Sequence, residues 1–266
     1  MKARINLGPA GNCDKDIISS LNRLKSELNL QSQEVEFTLG VKMKNETAKA
    51  VGELRKKLGI ELSVHAPYYI NLSSEDKAKL KKSFNWVFLS CERGHHMGAR
   101  KIVLHPGFYL KKNPSRTFDI VLENIKRLQK EIRKRKWNVE LAPETTGKLS
   151  AFGNLDEIIE LTRKAKCSFC VDFAHLYARQ QGKINFAEVL DKLKSFNHIH
   201  SHFSCIAFTK KGERKHLDIS VNKPPFKELA KELLKRKVNI TIIAESPRTW
   251  RDSLAMKKIL GKLGYK

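Results

Sequence analysis

Short apolar runs recur along this chain every 28–42 residues or so, and an amphipathic stretch fills most intervals. Eight such runs are legible: Arg4–Gly8, Val35–Thr38, Leu62–Ala66, Lys101–His105, Val139–Pro143, Ser168–Asp172, His198–His202 and Ile240–Ala244. Each is short and rich in β-branched or aliphatic residues, as a strand covered on both faces must be. The repeat length is that of a β-strand plus a returning helix, so the predicted fold is a (β/α)8 TIM barrel. A doubly wound open sheet is the alternative, because periodicity does not show closure. No linker or low-complexity segment divides the 266 residues, and barrels use roughly 200–250 residues as one domain. The expected organisation is a single domain over 1–266.

The helical intervals carry apolar residues at helical spacing. Ile17, Leu21, Leu24 and Leu28 share one face. Leu80, Phe84, Val87 and Phe88 share a second, with Ser73 or Ser74 as its expected cap. Phe118, Leu122, Ile125, Leu128 and Ile132 form a third, and Leu155–Ala165, Phe226–Leu234 and Ser253–Leu260 behave alike.

Several function classes drop out. No run approaches the ~18 apolar residues of a membrane span. The opening MKARINLGPAGNC lacks the apolar core of a secretory signal, so a cytoplasmic location is expected. No GxGxxG or GxxxxGK[ST] loop is present, which argues against a nucleotide cofactor. Five cysteines make an odd count, against a disulfide framework. Cys167-x-x-Cys170 lacks the second pair of a zinc ribbon, and Cys170 falls inside a strand-like run.

Charge points towards a partner. Lys+Arg number 52 and Asp+Glu 28, a net charge of +24. That excess favours a polyanion such as nucleic acid. Most basic residues lie in helical stretches, where they act by long-range attraction.

The chemistry gathers at the C-terminal ends of the runs. Six of eight end at or next to an acid or imidazole: His65, His105, Glu144, Asp172, His202 and Glu245, with His175 three residues beyond Asp172. In a parallel barrel these ends share one rim, where active sites are built. Three carboxylates converging there would repel one another unless cations intervene. Mixed imidazole and carboxylate donors suit Zn2+, with Mn2+ or Fe2+ as alternatives. The donors outnumber one tetrahedral site, so two or three ions are expected. His200 and His202 lie on the same strand face, and spacing does not choose between them. His95 and His96 read as surface groups, and His198 as structural. His216 follows a Lys-rich loop and by itself reads as a surface residue.

At these residues the sequence resembles the endonuclease IV family of apurinic/apyrimidinic endonucleases, most nearly its archaeal branch. The resemblance runs from Gly8-Pro9-Ala10-Gly11-Asn12 to Ala244-Glu245-Ser246. It rests on His65-Ala66-Pro67-Tyr68-Tyr69-Ile70-Asn71-Leu72, Leu104-His105-Pro106-Gly107, Glu144-Thr145-Thr146-Gly147, Val171-Asp172-Phe173-Ala174-His175, and His202-Phe203-Ser204 followed by His216. It implies a trinuclear zinc site. His65, His105 and Glu144 would hold one ion. Glu144 would bridge to a second, held with Asp172, His202 and Glu245, and His175 and His216 would hold the third. The family's bacterial members place an Asp two residues before the last His; here Arg214 stands there, and Glu213 is the expected substitute. Where they place a DNA-contacting Arg after strand two, this chain has Val41-Lys42-Met43-Lys44.

The implied reaction is hydrolysis 5′ to an abasic site in double-stranded DNA, leaving a 3′-hydroxyl and a 5′-deoxyribose phosphate. Clustered metals supply an activated water, charge neutralisation and leaving-group stabilisation. Glu144 and Glu245 are the expected catalytic carboxylates. Tyr68 and Tyr69 are the expected minor-groove wedges. Lys42, Lys44, Lys215 and Arg248 are the leading DNA contacts, with Lys111, Lys112, Arg116, Arg179, Lys210, Lys211 and Arg251 also on rim loops. A closed barrel offers no sticky edge, so a monomer is expected. Two rivals remain: a sugar isomerase or epimerase on the related xylose isomerase-like barrel, using Glu144, Asp172, His202 and Glu245 for one metal, and a basic nucleic-acid-binding barrel with impaired catalysis.

Overall fold

The first strand, β1 (Ile5–Pro9), is buried along its length and pairs in parallel with the last, β10 (Ile240–Ala244). The computed structural model describes residues 3–110 and 112–265; Lys111, one of the expected phosphate contacts, lies outside them. Between the two end strands come β2 (Ser32–Glu36), β3 (Glu61–His65), β4 (Lys101–Leu104), β5 (Glu140–Pro143), β6 (Cys170–Asp172) and β7 (Ile199–Phe203). Hydrogen bonds order them as two parallel sheets, β1-β10-β7-β6 and β2-β3-β4-β5.

Two seams join these sheets. At one, the Gly11 N–H donates to the Glu34 carbonyl at 2.9 Å. At the other, the Thr145 N–H donates to the Cys170 carbonyl at 3.1 Å. The circle of eight strands is complete, so the fold is a TIM barrel in a single domain and not an open sheet. Gly8 makes the first seam possible: a Cβ there would stand 1.9 Å from the Ser32 carbonyl oxygen.

The helices α1 (Ile17–Arg23), α2 (Asn45–Leu58), α3 (Lys77–Met97), α4 (Pro114–Lys134), α5 (Leu155–Ala165), α6 (Phe173–Arg179), α7 (Phe186–Leu193), α8 (Phe226–Arg236) and α9 (Thr249–Lys262) surround the strands. Their apolar faces meet the outer face of the barrel, burying Leu21, Val87, Ile125 and Leu128 completely. Each such side chain contributes roughly 1.5–3 kcal/mol by leaving water. Caps set the helix starts. Asp16 accepts from Ser19, Asn113 from Ser115 and Asn154 from Glu157. The cap of α3 is Asp76, not Ser73 or Ser74; the Ser73 hydroxyl instead donates to the Asn71 side chain at 2.7 Å. None of the helices, among the described residues, is long and apolar enough to cross a membrane.

Two elements differ from the sequence expectation. Strand two begins at Ser32 instead of Val35, which brings Glu34 and Glu36 onto its inward face. The Lys-rich stretch before His216 is a hairpin of β8 (Cys205–Thr209) and β9 (Gly212–Leu217) that stands over the barrel mouth. The barrel interior is unusually polar. Val103, Ala142 and Cys170 form one small apolar cluster, while Glu34, His65, Glu144, Asp172, His200 and His202 are buried around it.

Candidate metal centre

The strand ends bring the expected donors together. His65 closes β3, His105 and Glu144 follow β4 and β5, Asp172 closes β6, His202 lies in β7 and Glu245 follows β10. Asp172 also caps α6, its Oδ1 accepting the His175 N–H at 2.7 Å, which fixes His175 one turn away. His216 arrives on β9. Three groups result, each with donor atoms within 4.8 Å of one another: His65, His105 and Glu144; Glu144, Asp172, His202 and Glu245; and Asp172, His175 and His216.

Glu144 is the hub and is fully buried. Its Oε2 lies 3.2 Å from His65 Nε2 and 3.1 Å from His105 Nε2. Its Oε1 lies 3.2 Å from His202 Nδ1, which is also 3.2 Å from Glu245 Oε1. Donors bound tetrahedrally at ordinary zinc bond lengths stand about 3.3 Å apart, so these spacings suit a shared cation.

The ring nitrogens are already sorted. His65 Nδ1 is 2.7 Å from the Ala66 carbonyl, His175 Nδ1 is 2.9 Å from the Thr145 carbonyl, and His216 Nδ1 is 2.7 Å from the Ser204 hydroxyl. In His65 and His216 the other nitrogen, Nε2, is left for the centre, which is how metal-bound imidazoles are oriented, while His175 Nδ1 also lies 3.2 Å from Glu144 Oε1. Asp172 Oδ2 and His175 Nε2 are buried without a hydrogen-bond partner. A divalent cation would satisfy both, and the donor set fits one.

Without a cation the same groups hold one another by charge. Burial opposes ionisation of Glu144, but the imidazoles of His105 and His202 outweigh it and hold the carboxyl well below its usual range. Glu245 is likewise opposed by burial and drawn down by His202, to about 2. Burial opposes protonation of His65, yet Glu144 and Glu36 lift it to about 10. Burial pushes Asp172 up despite His175. Metal entry must therefore expel protons from the imidazoles.

The hairpin answers the Arg214 question structurally. Phe208 pairs with Glu213 and Ala207 with Lys215, so Arg214 is the extra residue of a β-bulge. The bulge shifts the side-chain phase, turning Arg214 to solvent while Glu213 Oε2 comes within 3.4 Å of His175 Nε2. Gly147 admits this approach, since a Cβ there would be 2.6 Å from the Glu213 Cβ.

His200 sits deeper than His202, its Nε2 3.1 Å from Glu34 Oε2, and it belongs to none of the three upper groups. Sequence reasoning missed Glu34 and Glu36. The acid–Val–acid alternation of Glu34-Val35-Glu36 was the available signal, lost by starting that strand at Val35. Glu36 lines a cleft of about 290 Å3 beside the centre with Ala10, His216, Glu245, Ser246 and Thr249.

The expected DNA contacts divide. Tyr68 and Tyr69 are about half exposed, their ring centroids 4.5 Å apart. Leu39, Leu110 and Leu149, on the neighbouring rim loops, are exposed too and were not foreseen. Lys42, Lys44, Lys210, Lys211, Lys215, Arg248 and Arg251 face solvent. Arg179 does not; its guanidinium donates to the Lys148 carbonyl at 2.7 Å and the Ala151 carbonyl at 3.1 Å, holding the loop after β5. Arg116 pairs with Glu75 at 2.7 Å, and Lys112 donates to the Ser73 carbonyl at 3.1 Å. Cys167 and Cys170 are free thiols, Cys170 buried in β6. His198 bonds Thr241 at 3.1 Å, and burial lowers its pKa to about 4, as a structural group.

A separate cavity of about 800 Å3 opens at the opposite mouth of the barrel. Its acids, Glu61 and Glu140, are paired with Arg4, Arg100 and Lys101. None of the three upper donor groups lines it; His200, which does, belongs to a deeper group with Cys170 and His202.

Comparison with known proteins agrees with this geometry. The model of the xylose isomerase-like TIM barrel family matches residues 24–260. An uncharacterized protein of Methanocaldococcus jannaschii is 34% identical over 89% of each chain. A probable endonuclease 4 of Aster yellows witches'-broom phytoplasma is 33% identical, over 49% of this chain and 47% of its own length. The chain thus spans about half of that relative. Among solved structures, endonuclease IV from Thermus thermophilus superposes with a TM-score of 0.74 at 19% identity, covering 97% of this chain and 98% of that one. A D-tagatose 3-epimerase-like protein superposes at 0.72 and 18%, covering 97% and 96%. At such identities these two likenesses bear on the fold alone.

Proposed function

The chain belongs to the xylose isomerase-like TIM barrel family, and within it we propose that the protein is a zinc-dependent endonuclease of DNA repair, hydrolysing the phosphodiester 5′ to an abasic site in duplex DNA. The observation that carries this reading is the size of the donor set. Glu144, Asp172, His202 and Glu245 already suffice for one ion, yet His65, His105, His175 and His216 extend them into three adjoining groups. A proton transfer at a sugar carbon has no use for the additional four imidazoles.

His65, His105 and Glu144 would hold one cation, Glu144, Asp172, His202 and Glu245 a second, and His175, His216 and Glu213 a third. Bound cations would neutralise the phosphate and acidify an attacking water. The residues supply the rest. Glu144 spans two groups with one oxygen facing each, so it sets their separation. Glu245 reaches the open cleft and is kept ionised, placed to orient the water and take its proton. Tyr68 and Tyr69, with Leu39 on the next loop, present apolar surface that would wedge against the stack around a missing base. Lys42, Lys44, Lys215 and Arg248 would meet backbone phosphates.

The second reading is a sugar epimerase using the four-residue group alone, since Glu144, Asp172, His202 and Glu245 by themselves complete a set of donors for one ion. One assay separates the two. The protein is incubated with a duplex carrying one abasic analogue, and in parallel with ketohexoses. Incision leaving a 3′-hydroxyl, abolished by strong chelation and restored by Zn2+ or Mn2+, is expected. Sugar epimerisation without incision would replace the nuclease reading.

A further inference from the structure

Beneath the upper groups lies a carboxylate that they do not use. Glu34, in β2, is fully buried. Its Oε1 lies 2.7 Å from His202 Nε2, and its Oε2 lies 3.1 Å from His200 Nε2. Both atoms are buried and neither completes a well-aligned hydrogen bond, to each other or to any other group, so their 2.7 Å approach is a direct charge contact. On its other side, His202 Nδ1 faces Glu144 Oε1 and Glu245 Oε1, each at 3.2 Å.

His202 therefore stands between opposed carboxylates. Carboxylate oxygens only accept, so a proton on Nδ1 would be drawn towards Glu144 and Glu245 and would close the imidazole to a cation. A proton on Nε2 leaves Nδ1 as a donor. His65 and His216 have their Nδ1 committed to neutral oxygens and turn Nε2 to the centre. His202 is reversed: Nδ1 points to the centre, and the partner on its far side carries a full charge.

We infer that Glu34 is a positioning residue that keeps the imidazole proton of His202 on Nε2, presenting Nδ1 to the cation shared with Glu144 and Glu245. The inference rests on the metal reading above and not on the choice of substrate. A carboxylate behind a metal-bound imidazole fixes its ring and raises its basicity. The competing uses of these side chains are a further cation held by Cys170, His200 and His202, or one held by Glu34, Glu36 and Glu245; the donor atoms of each group also lie within 4.8 Å of one another. The 2.7 Å contact favours a direct carboxylate–imidazole charge contact over a common ion: two donors on one tetrahedral zinc stand about 3.3 Å apart.

The test uses the full chain with zinc as the probe. Nitrogen-15 spectra of the histidine rings read the His202 tautomer in the zinc-loaded wild type. Zinc affinity is then measured by chelator competition for the wild type, Glu34→Gln and Glu34→Ala. The expected tautomer is Nε2–H. Glu34→Ala should weaken one bound ion by about 10–100-fold while the others keep their affinity. Glu34→Gln, which retains an acceptor for Nε2–H, should recover at least half of that loss on a logarithmic scale. An Nδ1–H tautomer in the wild type overturns the inference, and that reading survives even if a variant fails to fold. Unchanged zinc affinity in a folded Glu34→Ala overturns it as well. So does loss of a whole ion in His200→Ala, which would mean a buried cation site. A wild type that binds no zinc refutes the metal reading and this inference together. Normal zinc binding without DNA incision refutes only the nuclease reading.

Discussion

Replacing Glu144 by Gln tests the centre at its hub. The side chain keeps its shape, but one anionic oxygen becomes an NH2 group. In the folded protein each Glu144 oxygen faces ring nitrogens at 3.1–3.2 Å: His65 and His105 on one side, His202 and His175 on the other. The amide would place donors against nitrogens that must offer lone pairs to cations. Removing one partner of a buried charge pair costs about 3–5 kcal/mol. At about 1.4 kcal/mol per tenfold, that is roughly 10²–10⁴ in affinity for the bridged ions. Incision of an abasic duplex should fall by at least the same factor. Duplex binding should hold to within about threefold, because Glu144 is fully buried and cannot touch DNA. Three measurements on one preparation decide it: zinc by chelator competition, incision by gel, and duplex binding by fluorescence anisotropy. Turnover within tenfold of wild type, with full metal content, would refute the bridging role.

Three further outcomes follow from the same geometry. Glu213→Gln should weaken one bound ion by about 10–100-fold and Arg214→Ala should leave it unchanged; equal behaviour in metal analysis would show that the bulge does not deliver a ligand. Tyr68→Ala and Tyr69→Ala should raise KM for an abasic duplex by roughly 5–150-fold, the value of about 1–3 kcal/mol for an aromatic stacked on a base, with metal content unaltered; unaffected KM in both would remove the wedge. The third concerns pH. Burial lifts Glu36 to about 8 from its ordinary 4.5. Between those values the unfolded chain releases a proton that the folded chain retains, so this group's contribution is full below about 4.5 and is lost as pH rises through about 8. Chemical denaturation of the metal-free protein should show stability falling from about pH 5.5 to about pH 7.5, with a shallower fall in Glu36→Gln. Parallel slopes would mean that Glu36 is not held protonated.

The +24 charge keeps its place in this picture, but more narrowly. Arg179 and Arg116 look like phosphate contacts in the sequence because they sit beside rim loops. Folded, one is spent on loop carbonyls and the other on Glu75. A charge near a site in sequence is available to a partner only if no internal acceptor has claimed it.

Sequence by itself determined the barrel's period and nearly every acid and imidazole that the strand ends bring together. The strand–helix repeat is a one-dimensional property, and polar residues closing apolar runs announce a rim wherever those runs lie in parallel. Tertiary structure decided what depends on distance and direction. Closure required the seams at Gly11–Glu34 and Thr145–Cys170. That His202 and not His200 lies beside Glu144 and Glu245 depends on depth along one strand face, which alternation cannot resolve. The arrival of Glu213, with Arg214 turned away, needed a bulge whose phase shift no periodicity records. Glu34, marked in sequence only by its alternation with Glu36, gains a role because barrel closure carries β2 across to β7, where its carboxylate meets the far nitrogen of His202.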